Sequence, residues 1–140
     1  MSQNAAPAVE GLFRAADDGA RLLGSRCATC QTPYFPKSDL CHNADCDDSK
    51  MQDAEFGPRG TVWSYSVQNY PPPPPAVTTD PYEPYALGVV DLEDGLRVIG
   101  RLTTTDPNQV KVGARVGLEL GEIGTDAEGT PLVSWMFRPI

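Results

Sequence analysis

Cys27-Ala28-Thr29-Cys30 and Cys41-His42-Asn43-Ala44-Asp45-Cys46 put two pairs of thiols ten residues apart. Zinc takes four soft ligands in a tetrahedron, and two short turns that each present two thiolates can supply them. Two disulfides would use the same residues but need an oxidising compartment. A redox-active Cys-x-x-Cys sits at a strand-to-helix corner of a βαβ unit, and no such unit is legible here. The spacing therefore favours structural Zn²⁺. In the second pair, four residues rather than two separate the cysteines. That spacing still closes a chelate loop, so Cys46 is the expected fourth ligand; His42 is an alternative, and Asp45 a weaker one. A site of four cysteines has no open position for water, so its metal holds the segment folded and performs no chemistry.

Little else in the chain points to catalysis. His42 is the one histidine, and any Ser-His-Asp or Cys-His arrangement would rest on it, directly beside a metal-clasping thiol. Asp91, Glu93 and Asp94 cluster near a turn, where solvated acids are a simpler reading than an acid–base pair. No residue is put forward as catalytic. Nineteen acidic groups against eleven basic ones give a net charge of −8. Binding to nucleic acid or anionic lipid by counterion release needs a basic surface, so both partners are excluded.

The elements that must position the cysteines follow from composition and period. A chain of 140 residues, 40% apolar and 21% charged, is one globular unit's worth of polypeptide. No apolar run approaches the ~20 residues that cross a bilayer, and the opening residues lack a signal-peptide pattern. The expectation is a soluble, cytoplasmic protein. Residues 1–9 read as a loose tail. From Pro7 to Leu23 the pattern turns helical, with Leu12, Ala16 and Leu23 near one face and Arg14, Asp17 and Asp18 elsewhere. Gly11 and Gly19 shorten the expected helix, which together with the cysteine segment makes up residues 10–56.

From residue 57 to 140 the period becomes two. Trp63, Tyr65 and Val67 alternate with Ser64 and Ser66, which places the two tryptophans, Trp63 and Trp135, inside strands as core residues. Tyr85 to Leu92 is apolar enough for burial on both faces. Asp94-Gly95 marks a hairpin, beyond which Leu96, Val98 and Leu102 share a face opposite Arg97 and Arg101. Asp106-Pro107 suits a brief helical turn. Val116, Leu118 and Leu120 alternate with polar neighbours, and Leu132 to Phe137 forms a fifth strand. Five short antiparallel strands hide their edges by closing into a Greek-key barrel of the OB type. Between the first two strands lie Tyr70, Pro71, Pro72, Pro73, Pro74 and Pro75, then Tyr82 and Tyr85. A five-proline run is stiff polyproline II that loses little freedom on docking, and flanking tyrosines offer amphipathic contact area. A plain surface loop is an equally simple reading.

The order of these segments resembles a known family. Phe13-Arg14-Ala15-Ala16, Leu22-Leu23, Cys27-x-x-Cys30 and Phe35-Pro36 are similar to the opening of the rubredoxin-type zinc-ribbon plus OB-fold family, long catalogued as domain of unknown function 35. Gly60–Val67 resembles that family's first barrel strand, Pro84–Leu92 and Gly95–Leu102 its second and third, and Val112–Val116 with Phe137-Arg138-Pro139 its closing segment. The likeness spans about residues 10–140. The long Cys41–Cys46 loop and the absence of glycine after Cys30 depart from the pattern.

The resemblance implies a mainly β chain: a short N-terminal helix, a rubredoxin-like zinc ribbon and a five-stranded barrel. It also implies an accessory role beside a thiolase-fold catalytic subunit that acts on acyl-CoA, with the substrate shared at the interface. The aldolase-associated branch, which cleaves steroid side chains as CoA thioesters, suits the Pro/Tyr loop best. On that view Tyr70, Pro71 to Pro75, Tyr82, Tyr85, Arg59 and Arg138 face the partner or its substrate channel. Arg97 and Arg101 are further candidates for a CoA phosphate, although solvation explains each arginine singly. An accessory subunit of an acyl-CoA thiolase and a free-standing acyl-CoA-binding module are the alternatives.

Overall fold

The computed structural model describes residues 5–73, 77–79 and 81–140. Among the described residues the regular structure is ten strands and no helix: β1 (Ala6–Pro7), β2 (Phe13–Ala16), β3 (Gly19–Cys27), β4 (Pro33–Tyr34), β5 (Met51–Phe56), β6 (Arg59–Gln68), β7 (Tyr85–Leu92), β8 (Arg97–Leu102), β9 (Arg115–Thr125) and β10 (Pro131–Pro139). None of the described residues lies in a helix long and apolar enough to cross a membrane.

The helix expected before the cysteines is absent. Phe13 to Ala16 instead pair antiparallel with Leu22 to Gly19, turning at Asp17-Asp18. The spacing of Leu12, Ala16 and Leu23 imitated a helical face, but Ala20, Leu22 and Gly24 all point inward from β3 at period two. Gly19 makes the hairpin possible: its φ is +130°, and a Cβ there would lie 2.2 Å from the Leu118 carbonyl oxygen of β9. On its other side β3 pairs with β5 from Leu22–Phe56 to Cys27–Met51, and with β4 at Ser25–Tyr34 and Arg26–Pro33. A Cβ at Gly24 would meet the Tyr34 carbonyl oxygen at 2.2 Å, so only glycine fits there. Within the expected tail, Ala6 and Pro7 run parallel to Leu132 and Val133 of β10.

The five strands expected from residue 57 onward close into a barrel. Antiparallel pairs link β6 to β7, β7 to β8, β9 to β10 and β6 to β9, and a short parallel pair joins β8 to β10 at Arg101–Met136 and Leu102–Phe137. This circuit leaves no strand of the five with a wholly open edge, as an OB barrel requires. Asp106 organises the helical turn between β8 and β9. Its carbonyl accepts the Val110 N–H at 3.1 Å and its carboxylate the Asn108 N–H at 2.9 Å, which buries Val110 completely.

Two expectations about faces need correction. β7 is buried on one side only, with Ala86, Gly88, Val90 and Leu92 inward. Trp63 is not core: a bulge between Val62 and Ser64 shifts the phase of β6 and leaves its side chain 53% exposed, stacked under the Arg97 guanidinium at 4.1 Å. Tyr65 and Val67, beyond the bulge, pack against the core.

Ribbon and barrel share a single core. Ala20, Leu22 and Phe56 from the ribbon sheet belong to the same buried cluster as Val62, Val90, Val116, Leu118 and Phe137. Trp135 bridges the seam, 6.1 Å from the Phe13 ring and 5.4 Å from the Phe35 ring.

Candidate functional site

The four cysteines converge at the end of the ribbon sheet. Cys27 ends β3, and the chain reverses through Cys30, where the Gln31 N–H donates to the Cys27 carbonyl and the Cys27 N–H to the Thr32 carbonyl. Gln31 takes a left-handed φ of +67°, the place where glycine would be strain-free. In the second loop Asn43 makes the long spacing close: its side-chain oxygen accepts the Asp45 N–H and its carbonyl the Cys46 N–H, each at 3.0 Å.

All four sulfurs lie within 4.8 Å of one another, with Cys27–Cys46 at 3.8 Å and Cys30–Cys41 at 3.6 Å. A tetrahedron with Zn–S bonds of ~2.3 Å has edges of about 3.8 Å, so the cluster fits Zn²⁺. His42 and Asp45 are not part of it. The His42 N–H donates to the Tyr34 hydroxyl at 2.7 Å, and its Nε2 lies 3.4 Å from Ser38 Oγ.

The surroundings favour the thiolate at Cys27 and Cys30. Backbone N–H groups of Lys50, Cys30 and Thr29 hold the Cys27 thiol down at about 6. Thr32 Oγ1, 3.1 Å from Cys30 Sγ, lowers that thiol as well. The Tyr34 hydroxyl lies 3.4 Å from Cys41 Sγ, and the Cys41 N–H donates to Ser49 Oγ at 2.9 Å. At Cys46 the Asp48 amide lowers the thiol, but burial and the three neighbouring sulfurs outweigh it and push the group up to about 12. A Zn²⁺ held by the four sulfurs would supply the charge that lets Cys46 ionise beside the others. Thr32, Tyr34 and Ser49 were not singled out in the sequence; their proximity to the two cysteine turns was the available signal.

The remaining candidates are dispersed. Tyr70 is 85% exposed, and Pro71 to Pro73 follow it at the surface; Pro74 and Pro75 lie outside the described residues. Tyr82 and Tyr85 serve the base of this arm. The Tyr82 hydroxyl donates to the Gln68 carbonyl at 2.6 Å, and the two rings meet edge to face at 6.3 Å. Arg138 pairs with Glu119 at 3.0 Å and Arg97 with Asp91 at 2.6 Å, while Arg101 turns onto the Tyr85 ring. Arg59 is exposed and has no ion pair among the described residues. The acids near the β7–β8 hairpin are likewise engaged. Glu93 pairs with Arg115, and both Asp94 carboxylate oxygens lie 3.3 Å from the Gly57 nitrogen.

Family comparison bears directly on this arrangement. Residues 15–52 match the family described as "ChsH2, rubredoxin-like zinc ribbon domain", and residues 53–120 match "ChsH2, C-terminal OB-fold domain". The chain belongs to the ChsH2 zinc-ribbon and OB-fold family.

All four cysteines of this ChsH2-family chain fall within the ribbon match, and the Pro/Tyr arm falls within the barrel match. The chain is similar to a DUF35 domain-containing scaffold protein of Methanothermobacter thermautotrophicus, 29% identical over 84% of this chain and 86% of the relative. It is 30% identical to the benzoylsuccinyl-CoA thiolase subunit BbsA of Thauera aromatica, over 92% of this chain and 85% of that one. Among solved structures it is similar to a chain of an Ltp2-ChsH2(DUF35) aldolase, with a TM-score of 0.62, 31% identity, and 85% and 84% of the two chains covered. The ChsH2-type ribbon is a zinc ribbon, and its four clustered thiols are the donors a structural Zn²⁺ takes.

Proposed function

We propose that this chain is a non-catalytic accessory subunit of a thiolase-fold, acyl-CoA carbon–carbon lyase complex, and that the complex is a steroid side-chain retro-aldolase. Cys27, Cys30, Cys41 and Cys46 hold one structural Zn²⁺ that keeps residues 10–56 folded against the barrel of residues 57–140. The partner supplies the groups that cleave the carbon–carbon bond. The exposed arm at Tyr70 and Pro71 to Pro73, with Arg59, contributes to the interface and to the substrate path of the CoA thioester.

The observation that carries this reading is the 31% identity to the aldolase-complex chain over most of both chains. It is joined by a chemical argument: a site of four cysteines has no open position for a reacting atom, and the lone imidazole sits beside it. The likeness to BbsA favours a second reading, in which the complex is an acyl-CoA thiolase.

Co-expression with a thiolase-fold protein encoded nearby tests the proposal. A stable complex that releases a ketone from a steroid CoA thioester without added CoA supports the aldolase; turnover that requires free CoA supports the thiolase. Tight acyl-CoA binding by the isolated chain with no recoverable partner would overturn both in favour of a free-standing binding module.

A further inference from the structure

Arg101 lies on β8 with its neighbours Arg97 and Ile99 on the outer face of the sheet, yet its side chain is half-buried rather than solvated. Its guanidinium stacks on the Tyr85 ring at 3.9 Å and its Nη2 donates to the Val77 carbonyl at 2.5 Å. Tyr85 opens β7, and Val77 belongs to the limb returning from the prolines. One planar cation therefore touches both, and Arg suits such a place because it can stack and donate at once. A separate contact seats the same limb on β9. A Cβ at Gly124 would lie 2.7 Å from the Thr78 carbonyl oxygen and 2.9 Å from Val77 Cγ1. At the other end of the arm, Tyr82 closes onto Gln68 of β6. The Glu83 N–H donates to Thr79 Oγ1 at 2.9 Å, bracing the limb internally. The sequence left Arg101 between a CoA phosphate and solvent; in the structure its Nη2 bonds the chain's own backbone.

We propose that Arg101 is a positioning residue: it pins the Val77 limb to the barrel and so presents Tyr70 and Pro71 to Pro73 in one fixed direction to the catalytic partner. The pin stands on the geometry of this chain; its effect on the partner rests on the accessory-subunit reading above. A pre-oriented arm loses less freedom when it docks, so the pin acts on affinity without touching the partner.

Hydrogen exchange on the full chain tests the pin directly. Arg101→Met keeps the aliphatic stem and removes the donors. It should accelerate exchange of the amides of residues 77–79, Tyr82 and Glu83 at least tenfold while leaving β7 and β8 beyond Tyr85 unchanged. Gly124→Ala, which displaces the limb from its seat without altering Arg101, should accelerate the same residues. Unchanged exchange at those amides, or equal acceleration throughout the barrel, overturns the pin.

Partner affinity then tests the consequence. Arg101→Met should weaken the co-expressed complex about tenfold in the intact chain and cause no further loss once residues 71–73 are deleted, because both changes act through one arm. A full tenfold loss in the shortened chain as well would overturn the positioning role. Should the unaltered chain form no complex with a thiolase-fold protein, the functional reading fails, whereas the exchange result still decides the pin.

Discussion

The Trp135 indole of β10 meets the Phe35 ring edge to face, with centroids 5.4 Å apart and planes at 88°, while its Nε1–H donates to the Ile99 carbonyl at 3.0 Å. One side chain thus fastens the ribbon to the barrel and bridges the diverging ends of β8 and β10. Phe35→Ala should cost about 2 kcal/mol, less than a fully buried phenylalanine because the site is only partly enclosed. Urea unfolding followed by tryptophan fluorescence and by metal release should show a single coincident transition at a lower midpoint.

The thiol cluster leads to a ligand test. Cys46→Ser should abolish stoichiometric zinc in the purified protein, and His42→Ala should retain it. Elemental analysis of both variants decides which residue completes the tetrahedron. Strong chelator should unfold the unaltered ribbon, since binding at such a site is folding free energy; persistence of its circular dichroism spectrum in chelator would contradict the assignment.

Gln31 occupies a left-handed conformation in the first cysteine turn. Gln31→Gly should be neutral or stabilising by up to about 1 kcal/mol, and Gln31→Val destabilising by about 1–2 kcal/mol, because a branched Cβ fits that region poorly. Thermal denaturation of the zinc-loaded variants provides the comparison.

Asp91 is held below the usual carboxylate range by its hydrogen bonds to the Arg97 guanidinium, which outweigh desolvation. A depressed carboxylate stabilises the fold above its unfolded value of about 3.9 and loses that contribution as pH falls through the folded value. The stability difference between the unaltered chain and Asp91→Asn should therefore be constant from about pH 7 to 5 and vanish as the medium is acidified below about pH 4. Because the pair is half-exposed, added salt should shrink the same difference at neutral pH.

Much of the barrel is legible because its residues repeat a local rule. Leu96, Val98 and Leu102 alternate inward, Asp94-Gly95 turns the chain, and Val116 and Leu118 resume the period. The cysteine cluster is legible for a different reason, since chelate spacing is a property of neighbours. The N-terminal hairpin escapes the same logic. Its inward positions on β3 are Ala20, Leu22 and Gly24, two of which carry almost no apolar signal, and the glycine is required by the Tyr34 backbone rather than by its own segment. Trp63 escapes because one bulge residue reverses the alternation of β6. The role of Arg101 depends on a contact with a residue 24 positions away, which no local pattern encodes.

Ala20, Leu22 and Phe56 sit among the barrel's own interior residues. Removal of the metal is therefore expected to loosen ribbon and barrel together, because binding at such a site is folding free energy and the two share one interior. A cell starved of zinc would be expected to lose the entire chain to proteolysis, not its ribbon alone.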